Sequence, residues 1–437
     1  MIYTLLPSLD MGDKRLTKRC NNLIKQFIIR PASSIPQACG SWKTTKAAYR
    51  FFDNDAISPA KILDAHRKQT ERRLAKEQGI ILVAQDTTDC DYTDHPKTKG
   101  LGYLQGEKLF GIKVHTALAM TETGIPLGIL SQERWIRKKS EFGKWRLKGK
   151  RTIIQTENHR WISTYQEVVK RIPLRKHAVL IADRGAAIYD VFAQQRKNNV
   201  ELLIRAKNRC VVSEQKMLYE TMRARQTAGI IRLRLQKTPA RKQRIATVRI
   251  RFAQVIILSL NKKQKMQLWC VTAEEQRPPT GEQRISWTLL TTVPVNSFED
   301  AKKVILWYTR RWIIERFHYC LKSGCRIEEL QLQEKKRLER ALAIYCIVAW
   351  KLLYLTYYAR EYPDHSCMEL FSKDEYQALI SMTRGKKKGF QKPPTIKEAV
   401  HLIASLGGFL GRKSDGDPGV KTLWIGLRRL SDIIATW

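Results

Sequence analysis

Apolar positions change their rhythm near Gly79. Up to about residue 75 the chain reads as a small helical unit. One helix runs from about Asp13 to Ile28 and stops before Pro31, a second covers roughly Trp42 to Phe52, and a third begins near Ser58. Beyond Gly79 the run IILVAQD, Ile80 to Asp86, is continuously apolar and reads as a buried strand with an aspartate at its end. Phe110–Met120 and Pro126–Trp135 read as two more strands, separated by the turn signal TETG. A helix near Trp161–Arg171 leads into AVLIAD, Ala178 to Asp183, a second buried strand closed by aspartate. A helix over Ile188–Lys197 and a strand over Glu201–Ala206 follow.

Period-two alternation then takes over between about Cys210 and Val295. IRLRLQK and TVRIRF place Leu233, Leu235, Val248, Ile250 and Phe252 inward, with Arg232, Arg234, Arg249 and Arg251 outward as solvated or generic phosphate-contacting groups. A helix starts near Phe298, with Asn296 or Ser297 as N-cap. Ala341–Tyr358 is apolar enough to suggest a membrane span. Lys351 interrupts it and Arg340 and Arg360 bracket it closely, so a buried core helix is preferred and no membrane partner is expected. The basic loop RGKKKGFQKPP precedes a short helix, Ile396–Leu406, that Gly407 and Gly408 stop.

Composition narrows the partner. The 437 residues suit two or three domains, and 80 Lys+Arg against 41 Asp+Glu leave a formal net charge of +39. That excess opposes compaction unless a polyanion shares the surface, which puts nucleic acid ahead of ribosomal association or an anionic membrane. The first unit carries Lys14, Arg15, Lys18, Arg19, Lys43, Lys46, Arg50, Arg67, Arg72, Arg73 and Lys76, as a DNA-gripping module would. Nine Cys without C-x-x-C pairs and eight scattered His argue against zinc and for a reducing cytosol. The N-terminus lacks the apolar core of a signal peptide.

Chemistry concentrates in WYTRRWIIERFHYCLK, Trp307–Lys322. If this stretch is one helix, Tyr308, Arg311, Glu315 and Lys322, at offsets 0, 3, 7 and 14, share an arc of roughly 60°. A carboxylate flanked by cations on one ridge suits metal-assisted phosphoryl chemistry, although an i,i+4 Arg–Glu pair on a solvated face gives the same pattern. Asp86 and Asp183 at neighbouring strand ends, with Glu315 from a following helix, make an all-oxygen set suited to Mg²⁺, with Mn²⁺ as substitute. Two such ions about 3.5–4 Å apart serve an in-line displacement at phosphorus. Either aspartate alone reads better as a turn cap. Asp89, Asp91 and Asp94 read as loop acids.

This element order is that of a ribonuclease-H-like fold, and the chain closely resembles DDE transposases of bacterial insertion sequences. The resemblance covers nearly the whole chain, in the subgroup with the signature Y-x2-R-x3-E-x6-K and a β-rich insertion. SIPQACGSWKTTKAAYRFFDN, QDTTDCDY, IADRGAAIYD, WTLLTTVPV, YTRRWIIERFHYCLKSGCRIEELQL and LGGFLGRKSDGDPGVKTLW carry it. The implied fold class is α/β: a ribonuclease-H-like catalytic core with an inserted mostly-β subdomain, plus helical N- and C-terminal domains. The boundaries that follow are 1–75 for DNA binding, 76–372 for catalysis with the insertion at about 210–295, and 373–437 for dimerisation.

By the same resemblance Asp86, Asp183 and Glu315 are the metal-binding catalytic triad. Tyr308, Arg311 and Lys322 contact phosphates near the transposon end, and Arg205 and Lys207 are a further DNA-contacting pair. Trp287 stacks on a flipped base and Trp312 helps line that pocket, although by its residues alone Trp287 reads as core. His318 either assists or is structural. Such enzymes cleave both ends of their element by water attack and join the freed 3′-hydroxyls to target DNA, in close relatives through a DNA hairpin. They need no Ser or Tyr nucleophile. Family behaviour implies a homodimer on double-stranded DNA, each protomer binding one end and catalysing at the other, in the cytoplasm of a bacterium, associated with the nucleoid. Arg316 departs from the family, where many relatives carry a second acid. The helical N-terminal unit argues against a truncated inhibitory form. Two rivals share the charge pattern: a metal-dependent endonuclease that cannot join strands, and a catalytically silent DNA-binding repressor.

Overall fold

The structure, a computed structural model, describes residues 6–141, 156–195, 197, 199–207, 216–235, 243–259, 264–381, 392–412 and 414–435. Most of the basic loop RGKKKGFQKPP, and the opening of the expected β insertion, lie outside the described residues. The chain folds as two compact units. One comprises Met1–Lys76, Thr87–Arg146 and Ile313–Trp437; the other comprises Glu77–Asp86 and Leu147–Trp312. The backbone therefore changes unit four times, after Lys76, Asp86, Arg146 and Trp312.

Helix α1 (Lys14–Ile29) begins where the Asp13 carboxylate accepts the Arg15 and Leu16 amides, and it buries Cys20, Leu23, Ile24, Phe27 and Ile28 on one face. The short helix α2 (Ile35–Cys39) has no apolar period long enough to announce it. Its signal is a capping box, Ser34 with Gln37, and a proline in the first turn. Gly40 ends it in the left-handed region at φ 74°, and Ser41 caps α3 (Trp42–Asp53). Helix α4 (Pro59–Lys76) follows.

Strand β1 (Ile81–Asp91) runs five residues beyond Asp86, because the β-branched pair Thr87–Thr88 continues the extended backbone. Asp89 and Asp91 are thus strand residues rather than loop acids, and Asp89 pairs with Lys113 at 2.5 Å. Strands β2 (Gly102–Tyr103), β3 (Phe110–Met120) and β4 (Pro126–Trp135) come next. After α5 (His159–Arg171) and β5 (Ala178–Ala182), helix α6 is confined to Tyr189–Phe192 instead of running to Lys197. The Gln194 side chain takes the Asp190 carbonyl that a further turn would have used. The rest comprises β6 (Val200–Arg205), α7 (Leu218–Arg223), β7 (Gly229–Leu235), β8 (Arg244–Leu258), β9 (Lys265–Glu275), β10 (Ser286–Thr291), α8 (Phe298–Thr309), α9 (Trp312–Tyr319), α10 (Lys335–Glu361), α11 (Lys373–Ser381), α12 (Ile396–Leu406) and α13 (Val420–Ala435).

In the second unit the strand order is β1-β5-β6-β10-β9-β8-β7. The first three are parallel and buried, which is why they read as unbroken apolar runs; the others are antiparallel. Leu233, Leu235, Val248 and Ile250 are buried as the alternation required. Arg251 is not an outward phosphate contact: it is buried and pairs with Glu274 at 2.9 Å, since a buried guanidinium needs a counter-charge.

In the first unit α10 is the central element. It is long and apolar enough to cross a membrane, but 78% of its most apolar window is buried inside the protein, as a core helix requires. Phe27 stacks on Tyr345 at 4.7 Å, and Trp350 donates its indole N–H to the Pro126 carbonyl at 2.8 Å while Arg73 lies over its ring at 4.4 Å. Burial holds His66 well below its usual range, so its Nε2 accepts the Ile129 amide as a neutral ring. Arg340, 5% exposed, donates to the carbonyls of Phe52 (2.8 Å) and Ile57 (3.0 Å) and to Asp55 (2.6 Å). Arg340→Ala should therefore destabilise the first unit by roughly 2–4 kcal/mol, since it strands buried acceptors. Chemical denaturation checks this, and a loss below about 1 kcal/mol would mean that those carbonyls find other partners.

Candidate active site and nucleic-acid contacts

Two carboxylates come together by register alone. The last paired positions of β1 and β5 are Gln85 and Ala182, so Asp86 and Asp183 are the next residue on each of two adjacent parallel strands, about 4.8 Å apart in the pairing direction. Both are partly exposed while the five residues before each are buried, so the strands anchor what their ends present. Asp86 is thus at the end of the shared ladder, although not at the end of its own strand. Asp183 begins a tight turn: its Oδ1 accepts the Gly185 amide at 2.7 Å, which fixes the carboxylate's rotation. A Cβ on residue 185 would lie 2.8 Å from the Trp161 ring and 2.9 Å from that same Oδ1. Gly185→Ala should therefore turn the Asp183 carboxylate out of this orientation while leaving the circular dichroism spectrum unaltered, which a crystal structure of the variant checks. An unmoved Asp183 carboxylate would show that the turn has room for the added methyl group.

The stretch Trp307–Lys322 is not one helix. Arg310 and Arg311 bond back three residues, to Trp307 (2.9 Å) and Tyr308 (3.1 Å), which tightens the end of α8 and separates it from α9. A π turn over Cys320–Gly324 then closes with the Cys325 amide on the Cys320 carbonyl at 2.8 Å. The single ridge expected from the offsets is thus divided in two places. Tyr308, Arg311 and Trp312 belong to the second unit, Glu315 and Lys322 to the first.

Around the aspartates of the second unit, Arg311 is buried and its guanidinium lies 3.9 Å from the Asp86 carboxylate. The same guanidinium is 5.2 Å from the ring centre of Trp312, which is exposed. Tyr308 is buried edge-on against Trp287, ring centres 5.3 Å apart, and Trp287 is itself buried. Burial pushes the Tyr308 hydroxyl above its usual range, against the pull of Arg311 and Arg205, with Asp183 adding to the rise. Arg205, half-buried, donates to the Ser286 carbonyl at 3.0 Å, and burial lowers it from the ordinary guanidinium range. Lys207 is exposed just past β6.

In the first unit Glu315 occupies the first turn of α9, where the helix dipole favours an acid, and is partly exposed. Lys322 pairs with Glu328 at 2.8 Å and donates to the Asp89 carbonyl at 2.9 Å, so it is held in place rather than extended into solvent. His318 is buried, and Arg316 is exposed with its guanidinium over Tyr319 at 5.6 Å. Arg50 is exposed on α3.

The oxygen-only chemistry of Asp86 and Asp183 fits a hard divalent ion as two of its ligands. Among the described residues no three His, Cys, Asp or Glu side chains are grouped as a complete ion site.

Comparison with known proteins defines the class. Residues 4–57 match the family described as transposase DNA-binding, 153–351 the transposase DDE domain, and 347–436 the transposase Tn5 dimerisation domain. A solved piggyBac transposase synaptic complex with hairpin DNA aligns over 95% of this chain and 74% of its own, at 10% identity and a TM-score of 0.39. A likeness that slight defines neither fold nor function. The three family matches, in that order along one chain, make this enzyme a DDE transposase with DNA-binding and dimerisation domains. The DDE domain implies a ribonuclease-H-like core and a general use of divalent ions, and the flanking domains make DNA and a second copy of the chain its partners.

Proposed function

We propose that this transposase binds the terminal inverted repeats of an insertion sequence, cleaves the DNA at those ends and joins the 3′-hydroxyls to target DNA. The observation that carries the reading is the adjacency of Asp86 and Asp183 at the paired ends of β1 and β5, inside a chain that matches a DDE domain between DNA-binding and dimerisation domains. Asp86, Asp183 and Glu315 would hold the divalent ions, Mg²⁺ by preference. Bound there, such ions supply an activated attacking oxygen and charge stabilisation at the leaving one.

The remaining work falls to protein side chains. Tyr308, Arg311, Lys322, Arg205 and Lys207 bind and orient the phosphates at the cut. Arg311, lying beside Asp86, keeps a fixed positive charge near the scissile phosphate, where it offsets the charge that grows as the phosphorus becomes five-coordinate. Trp287, packed on Tyr308, supplies the aromatic face for a base displaced when an end closes into a hairpin, and Trp312, beside the Arg311 guanidinium, helps line that pocket. The domains at 1–75, 76–372 with its β insertion over about 210–295, and 373–437 divide the tasks of end binding, catalysis and dimerisation. Each protomer grips one end and cuts the other, in the bacterial cytoplasm on nucleoid DNA.

Supplying pre-cut element ends, a target plasmid and Mg²⁺ tests the reading. Joined products are expected. Nicking of the plasmid with no joined product would reassign the protein to endonucleases.

A further inference from the structure

The polar end of β1, residues 87–91, and the loop after it are tied to the backbone that follows Lys322, all inside the first unit. The Asp91 amide donates to the Glu328 Oε1 at 2.8 Å, the buried Tyr92 hydroxyl to the Ile327 carbonyl at 3.0 Å, and the His95 Nε2 to the Glu328 carbonyl at 2.9 Å. Along the same seam the Lys322 ammonium donates to the Asp89 carbonyl at 2.9 Å and lies 2.8 Å from that same Glu328 Oε1. One carboxylate oxygen thus joins a strand amide to a cation.

Bringing Glu328 back to Lys322 takes unusual backbone. The π turn over Cys320–Gly324 carries the lysine. Arg326 then adopts φ 50° and ψ 40°, the left-handed region, alone among the described non-glycine residues. A 3₁₀ turn over Ile327–Glu329 completes the reversal. Strain of this kind persists only where the surroundings hold it, and it collects at functional sites. A solvated ion pair between two long side chains contributes little, because both must be ordered to form it. The Glu328 carboxylate, by contrast, is fixed by a strand amide before the cation meets it.

An ammonium has three N–H donors, and Lys322 commits two of them, to Glu328 and to Asp89. We infer that Glu328 is a positioning residue: it holds the Lys322 ammonium against the end of β1 so that the third N–H is presented to one phosphate of the end DNA. The inference rests on the proposed contact of Lys322 with such a phosphate and adds what orients it. A lysine on its flexible stem must otherwise lose many rotamers on meeting DNA, and a donor already aimed does not.

The test uses the full chain with divalent ions withheld, so that affinity is read and nothing is cut. End duplexes carry a neutral methylphosphonate in place of one phosphate at a time. In the wild type one position should cost about tenfold in affinity through loss of its bond to Lys322, and Lys322→Ala should erase that penalty. Glu328→Ala should erase it at the same position, leave the penalties elsewhere unchanged, and add nothing in the Lys322→Ala background. Glu328→Gln, whose amide oxygen still accepts from both partners, should restore most of it. A full penalty in Glu328→Ala would overturn the inference. Penalties reduced at every position would overturn it too, since Glu328 would then support the fold rather than aim one side chain. If Lys322→Ala erases no penalty at any position, the phosphate contact itself falls, and this inference with it.

Discussion

Glu315→Ala and Asp86→Ala should each lower strand cleavage about a thousandfold or more, because a lost metal ligand removes several kcal/mol of transition-state stabilisation and each ~1.4 kcal/mol is tenfold in rate. Binding to element ends should stay within about threefold of wild type, since neither carboxylate contributes a cation to the phosphate footprint. Gel-shift affinity and single-turnover cleavage, measured on the same preparations, separate the two. Equal loss of both would mean that the residue supports the fold of its unit rather than the chemistry. For Asp86 a subtler outcome is instructive. Its removal also strips Arg311 of the neighbouring carboxylate, 3.9 Å away, so DNA binding by Asp86→Ala should hold or tighten slightly.

The second large effect is electrostatic. With a formal net charge of +39 and a basic DNA-binding unit, affinity for any duplex should fall about 10³- to 10⁵-fold between roughly 50 and 200 mM salt if six to ten phosphates are neutralised. Fluorescence anisotropy across that range measures it. A flat response would mean that the cations serve solubility or internal pairing, as Arg251 with Glu274 already does. That pair shows why charge counts overstate a binding face: a buried cation must find a partner within the fold.

What the sequence made legible follows from what its periodicity reports. Buried parallel strands have to be apolar on both faces, so β1 and β5 stood out, and with them the aspartates at the edge of their shared ladder. The start of α8 was legible because Ser297 and Asp300 form a local capping box. The breaks after Thr309 and at Cys320–Gly324 were not, because the amphipathic pattern continues through both while only the backbone hydrogen-bonding step changes. Side-chain spacing records which face is buried; it does not record whether a carbonyl is met by the third, fourth or fifth amide. The extension of β1 past Asp86 went unread for a related reason, since TTDCD is too polar to look like a buried run although its threonines favour extended backbone.

Mn²⁺ diffused into crystals of the enzyme bound to its DNA ends gives anomalous peaks that locate the ions directly. The account predicts a peak shared by the Asp86 and Asp183 carboxylates, with a Glu315 oxygen in the same coordination sphere at roughly 2.2 Å. Ions bound elsewhere, or Glu315 remote from them in the DNA-bound enzyme, would contradict it.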